Sequence, residues 1–72
     1  MQKWTLRTSV GLFWIAPDRD HRYTLGLDDE TLGNYHSPGK AGDDVFLHAT
    51  GHSPWDESSF SAPEDISEWL KA

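Results

Sequence analysis

KWTLRTSVGLFWIAP, residues 3–17, decides the architecture. Trp4, Leu6, Val10, Leu12, Trp14 and Ala16 all occupy even positions, interrupted only by Thr8, while Lys3, Thr5, Arg7 and Ser9 fill the odd ones. Successive strand side chains point to opposite faces, so a period of two marks a strand with one buried and one wet face. Phe13 and Ile15 make the second half apolar on both faces, and Gly11 sits where the character changes, at a bend or bulge. The stretch reads as one bent strand or two short ones. With the even positions turned to the core, Phe13 and Ile15 face the other way.

Downstream, Pro17-Asp18-Arg19-Asp20 is a turn, and residues 21–27, HRYTLGL, alternate again with Tyr23, Leu25 and Leu27 on one side. Asp28-Asp29-Glu30 is a second polar turn before TLGNY. Leu32 and Tyr35 have opposite parity, and an extra residue at Gly33-Asn34 would bring them to one face, because a bulge shifts the phase by one. These segments make a three-stranded antiparallel meander.

SPGKAGDDVFLHATGH (residues 37–52) reads as the main helix. Ser37 suits the N-cap and Pro38 the first helical position. Ala41, Val45 and Ala49 recur every four residues beside Gly42 and Phe46, and Gly51 is a natural left-handed stop, giving a helix of about 13 residues. Its apolar stripe is made of small residues and predicts close approach to the sheet. Leu47 lies opposite that stripe. Residues 52–60 are polar and irregular apart from Trp55 and Phe60. SAPEDISEWLKA then predicts a short C-terminal helix with Ile66, Trp69 and Leu70 as its stripe. The expected fold is α+β: one domain over residues 1–72, a three-stranded meander packed with one main helix and a short second one.

Around its main helix the chain resembles a group of short bacterial proteins in which a tyrosine-bearing strand runs through Ser-Pro into an alanine-bearing helix with paired acids and a valine, closing on Thr-Gly. The matching residues are Tyr35, Ser37, Pro38, Ala41, Asp43, Asp44, Val45, Thr50 and Gly51, with Gly42 where alanine is commoner. The strand–Ser–helix junction is also similar to small proteins built from β-β-α units; the resemblance implies a compact α+β fold and brings no established activity with it.

Composition narrows the function classes. Seventy-two residues bury a small core, about 60% of the surface exposed on unfolding. There is no cysteine, which rules out disulfides and thiolate zinc sites, so four Trp, three Phe and two Tyr must supply the packing area. The net charge of −6, with its basic residues dispersed, argues against nucleic acid and anionic membranes. No apolar run approaches the roughly 20 residues of a membrane span. The N-terminal residues lack the apolar block of a signal peptide, so the cytoplasm is the default location.

Chemistry-bearing residues are sparse. His48 and His52 stand four apart, a spacing that can hold a transition metal, with His36 or His21 as further ligands. Against that, Gly51 ends the helix between them, and Asp44 stands one turn before His48, where an ion pair and the helix C-terminus account for the imidazole. The acidic clusters lack the ligand spacing of a calcium loop. Catalysis has no thiol and no strained nucleophile elbow. The expectation is therefore a non-catalytic domain without cofactor that contacts another protein, as a monomer or weak homodimer. Trp55 would carry that contact, with Phe13 and Ile15 in second place, and the acidic charge would favour a basic partner.

Overall fold

In the computed structural model, which describes residues 2–72, an antiparallel sheet carries one main helix. The strands are β1 (Trp4–Thr8), β2 (Gly11–Pro17), β3 (Tyr23–Leu27), β4 (Glu30–Tyr35) and β5 (Leu70–Lys71), in the order β4-β3-β2-β1-β5. The α+β class stands. The three-stranded meander does not, because the sheet has five strands.

The stretch 3–17 forms the β1–β2 hairpin, and its turn explains the difference. Thr8 pairs with Gly11, leaving two residues in the loop, so partners across the hairpin always differ in parity: Trp4 faces Ile15 and Leu6 faces Phe13. Even positions of β1 therefore share a face with odd positions of β2. A single strand would have kept Trp14 with Trp4; the hairpin puts Phe13 and Ile15 there instead. Thr8 closes the turn, its hydroxyl donating to Gly11 O at 2.8 Å. Gly11 has φ +140°, and a Cβ on it would lie 2.3 Å from Asp28 Oδ2, so this position excludes a side chain twice over.

The register of β3 and β4 continues the pattern. Between the pairs Leu25–Gly33 and Gly26–Thr31 the strand β4 carries one extra residue, Leu32. The predicted bulge is present, just upstream of Gly33-Asn34, and it twists an edge strand that would otherwise offer a regular ladder to other chains.

Helix α1 (Pro38–Phe46) begins as predicted: the Ser37 hydroxyl accepts from Lys40 N at 3.2 Å, with Pro38 in the first turn. It ends earlier than predicted. Leu47 is the C-cap, His48 takes φ +58°, and two bonds close the end, from His48 N to Val45 O (3.2 Å) and from Ala49 N to Asp44 O (2.9 Å). This is a Schellman ending with histidine where glycine is usual. Gly51 is also left-handed, φ +87°, but lies in the following loop.

The core comprises Trp4, Phe13, Ile15, Leu25 and Leu27 from the sheet, Ala41 and Val45 from α1, and Trp55 and Trp69 from the C-terminal third. Trp55 sits in the one-turn helix α2 (Ser53–Asp56). The predicted C-terminal helix is absent. Ile66–Glu68 is a single 3-10 turn capped by the Asp65 side chain, Trp69 is extended and buried, and the chain enters β5, where Lys3 and Ala72 exchange two main-chain bonds of 3.0 and 2.8 Å. Leu70 pairs with Thr5 and points away from the core, 77% exposed.

Candidate interaction surface

Trp55, Phe13 and Ile15, the residues expected to meet a partner, are all fully buried. A side chain with no accessible surface cannot make an intermolecular contact in this fold. Trp55 lies edge-on to Phe13 at 5.2 Å between ring centres, and its Nε1 donates to Val45 O at 2.9 Å, satisfying a carbonyl at the end of α1. A tryptophan in a polar stretch can stand exposed as an anchor or fold back into a small core. This one plugs the space between sheet and helix, and the polar residues beside it fasten the loop that carries it.

That loop is held by two devices. The first is His48. Its ring stacks on Trp55, 4.7 Å between centres and 3° from parallel, while Nδ1 lies 2.8 Å from Trp55 O and Nε2 2.8 Å from Phe60 O. Both nitrogens are thus occupied by main-chain carbonyls. The second is Asp56, whose carboxylate accepts from Thr50 N, Thr50 Oγ1 and Gly51 N at 2.8–3.0 Å. Partial burial alone would raise the Asp56 carboxyl. The hydrogen bonds from Thr50 and Gly51, with the His48 charge nearby, outweigh it and leave the group below the ordinary carboxylate range.

The expected pairing of His48 with Asp44 does not form. Asp44 instead accepts from Tyr35 Oη at 2.7 Å, tying β4 to α1. Burial and this bond to a carboxylate push the Tyr35 phenol well above its usual range. His52 faces Glu30 at 3.5 Å, and His36 lies against Arg22. His48 and His52 therefore turn to different partners, and among the described residues no three His, Asp or Glu side chains converge on a common point.

The other face of the sheet is turned away from α1 and the core. The parity set by the hairpin puts Thr5, Arg7, Leu12, Trp14, Ala16, Thr24, Gly26, Asn34 and Leu70 on it. Trp14 lies flat across β3 at its centre: a Cβ on Gly26 would fall 2.1 Å from Trp14 Cζ2, so the indole rests directly on the glycine backbone. Trp14 Nε1 donates to Asp28 O at 2.9 Å, which fixes the ring, and the Lys3 ammonium stands 5.8 Å from its centre. Leu12, Trp14 and Ala16 are half-buried by their neighbours alone, and Leu70 stands clear. At the β3–β4 end the face turns polar: Asp18 accepts from Thr24 Oγ1 (2.8 Å) and Asn34 Nδ2 (3.2 Å), and Arg22 donates to Asn34 Oδ1. The bond from Arg19 N, followed by that from Thr24, holds the Asp18 carboxyl below its ordinary value.

The even-position alternation continues through Ser9 and Val10 and so hides this face in the sequence. The usable signal was Gly11 together with the run Phe13-Trp14-Ile15, which demands that both faces of β2 be apolar. Comparison with protein-family models, curated proteins and solved structures finds no match to the chain.

Proposed function

We propose that this is a non-catalytic protein-interaction domain whose contact surface is the bare face of the sheet, centred on Trp14 with Leu12, Ala16 and Leu70. The observation that carries the reading is an aromatic platform, pre-set by Gly26 and Asp28, on the sheet face turned away from α1 and the core. A rigid, amphipathic tryptophan amid smaller apolar groups is the composition of an interface anchor. The candidate acid–base groups support the non-catalytic part of the reading, since His48, Asp56, Tyr35 and Asp44 each serve a structural contact.

The charge of the face modifies the expected partner. Three of the six basic residues, Lys3, Arg7 and Arg22, stand on it, while most of the twelve acids lie elsewhere. The net charge favours a basic partner at long range, but the contact itself favours a partner surface with acidic groups around an apolar centre.

The test compares Leu70→Asp with Leu47→Asp. Both residues are exposed, at 77% and 64%, and both substitutions are expected to leave stability within about 0.5 kcal/mol. Only Leu70 lies on the bare face. A partner captured by the unaltered chain should be lost with Leu70→Asp and kept with Leu47→Asp. Equal retention by both variants defeats the assignment.

A further inference from the structure

β1 is paired along its whole length on one side and along only part of it on the other. On the β5 side the main-chain exchange between Lys3 and Ala72 sets the alternation: odd residues of β1 direct their N–H and C=O toward β5, and even residues toward β2. Leu70 meets Thr5, and β5 begins there. The next odd residue, Arg7, therefore presents its peptide groups to an edge with no strand beside it.

What lies beside it is a groove of about 480 Å³ between Leu6–Ser9 and Phe60–Ser61, within the roughly 300–1,000 Å³ range of ligand pockets. Its far wall is fixed. Phe60 stacks at 6.5 Å on Trp55, and Phe60 O lies 2.8 Å from His48 Nε2. Phe60 remains 47% exposed. Charge sets this groove apart. Its sole charged lining residue is Arg7, whereas three other surface grooves are lined by Asp28, Asp29 and Glu30, by Asp43, Glu64 and Asp65, and by Asp43 and Asp44 beside Lys40. In a chain of net charge −6 this is a locally positive site.

We propose that this groove is a strand-addition site for an extended acidic segment of a partner protein, which pairs with Arg7 and prolongs the line of β5 along β1. The proposal rests on the reading of the chain as an interaction domain and adds how the partner is held. The geometry specifies the segment. Residues directly opposite across a ladder share a face, so the residue opposite Arg7 stands beside its guanidinium and should be Glu or Asp. Its neighbours in the segment face the other way, toward Leu6, Thr8 and the Phe60 ring, and should be apolar. A second copy of the chain fits poorly: two β1 edges related by a two-fold axis near Arg7 would set like charges against each other.

The experiment titrates the full chain, labelled with nitrogen-15, with the blocked octapeptide of alternating glutamate and valine. Saturable shifts at the Arg7, Ser9 and Phe60 amides are expected, together with slowed hydrogen exchange at Arg7 N–H. Arg7→Glu should weaken binding about tenfold while Arg7→Lys retains most of it. The lysine–valine counterpart should give no saturable change. Three results overturn the proposal: no saturation with the acidic peptide, equal binding of the basic one, or slowed exchange at Arg7 that follows protein concentration without peptide. Binding that shifts Trp14 and Leu70 and leaves Arg7 exchange unchanged also removes strand addition, but that outcome preserves the bare-face reading.

Discussion

Trp55 and Trp14 lie on opposite faces of one sheet, and each donates its indole N–H to a main-chain carbonyl at 2.9 Å, Val45 O for one and Asp28 O for the other. Each also has a close neighbour on its ring: His48 stacks on Trp55, and the Gly26 backbone lies under Trp14. The difference is on the remaining side. Trp55 has Phe13 and the core against it and is wholly inaccessible, whereas Trp14 has the Lys3 ammonium near its ring and is only half-buried. Residue type did not decide which tryptophan is buried. The two-residue turn at Ser9-Val10 decided which face of β2 meets α1, and the 47–60 loop then closed over that face alone.

The largest expected effect tests the covered side. Trp55→Ala should cost about 3–5 kcal/mol, the range for truncating a buried aromatic, because it opens a cavity against Phe13 and removes the indole bond to the Val45 carbonyl, which keeps only its bond from His48 N. Set against total stabilities of roughly 5–15 kcal/mol for folded domains, this should leave the chain partly unfolded at 25 °C, as read by urea titration and near-ultraviolet dichroism. A small effect would mean that the comparison of the two faces is misdrawn. Gly26→Ala comes next and tests the bare side. The new methyl cannot coexist with the Trp14 ring where it now lies, so the indole must lift into solvent, at a cost of about 1–3 kcal/mol. Its fluorescence should shift to the red. In the Trp14→Ala background the same change should cost much less, and that non-additivity is the sharper measurement.

Much of this architecture could be read from residues, and the failures have particular causes. The start of α1 was legible because Ser37 and Pro38 act locally. The alternation of Tyr23, Leu25 and Leu27 and the bulge near Gly33 were legible because strand parity is a local property. Parity across the Ser9-Val10 turn was not, since apolar residues at six of the seven even positions from 4 to 16 mimic a continuous strand and only the pairing reveals the flip. The end of α1 misled because the stop residue is His48 at φ +58°, where glycine is usual, and its ring is held by carbonyls of Trp55 and Phe60 that lie beyond the helix. Ile66, Trp69 and Leu70 carry helical spacing, yet a 3-10 turn followed by an extended residue and a strand produces the same intervals. The bare face was illegible for the same reason as the covered one, since assigning either requires knowing where the first strand turns back.

His48 gives a third, smaller test. Leaving αL strain in place while removing the ring, His48→Ala should destabilise by about 2 kcal/mol through the lost stacking and carbonyl contacts. His48→Gly loses the same contacts but relieves the backbone, and should be about 1 kcal/mol less damaging. Denaturant midpoints of the two variants decide the point. If glycine were no better than alanine, the left-handed conformation would not be the strained element.

The smallest effect concerns that carboxylate. Asp56 is held below its ordinary value of 3.8, so the folded state releases its proton more readily than the unfolded chain. Its contribution is therefore complete above the unfolded pKa and is lost as pH falls through the lower folded one. Asp18 and Asp65 are depressed in the same direction by bonds from Arg19 and from Ser67, so the wild type should lose stability on acidification from all three. Asp56→Asn removes one contribution and leaves the other two. Its stability at neutral pH should be lower, and its further loss between about pH 5 and pH 2 should be smaller than that of the wild type. The difference of the two slopes isolates the cradle around Thr50 and Gly51 from Asp65 at the 3-10 turn and from Asp18 on the bare side, where it belongs to the network of Thr24 and Asn34. Equal slopes would show that the Asp56 charge does not hold the loop, and would leave His48 as the principal clasp over Trp55.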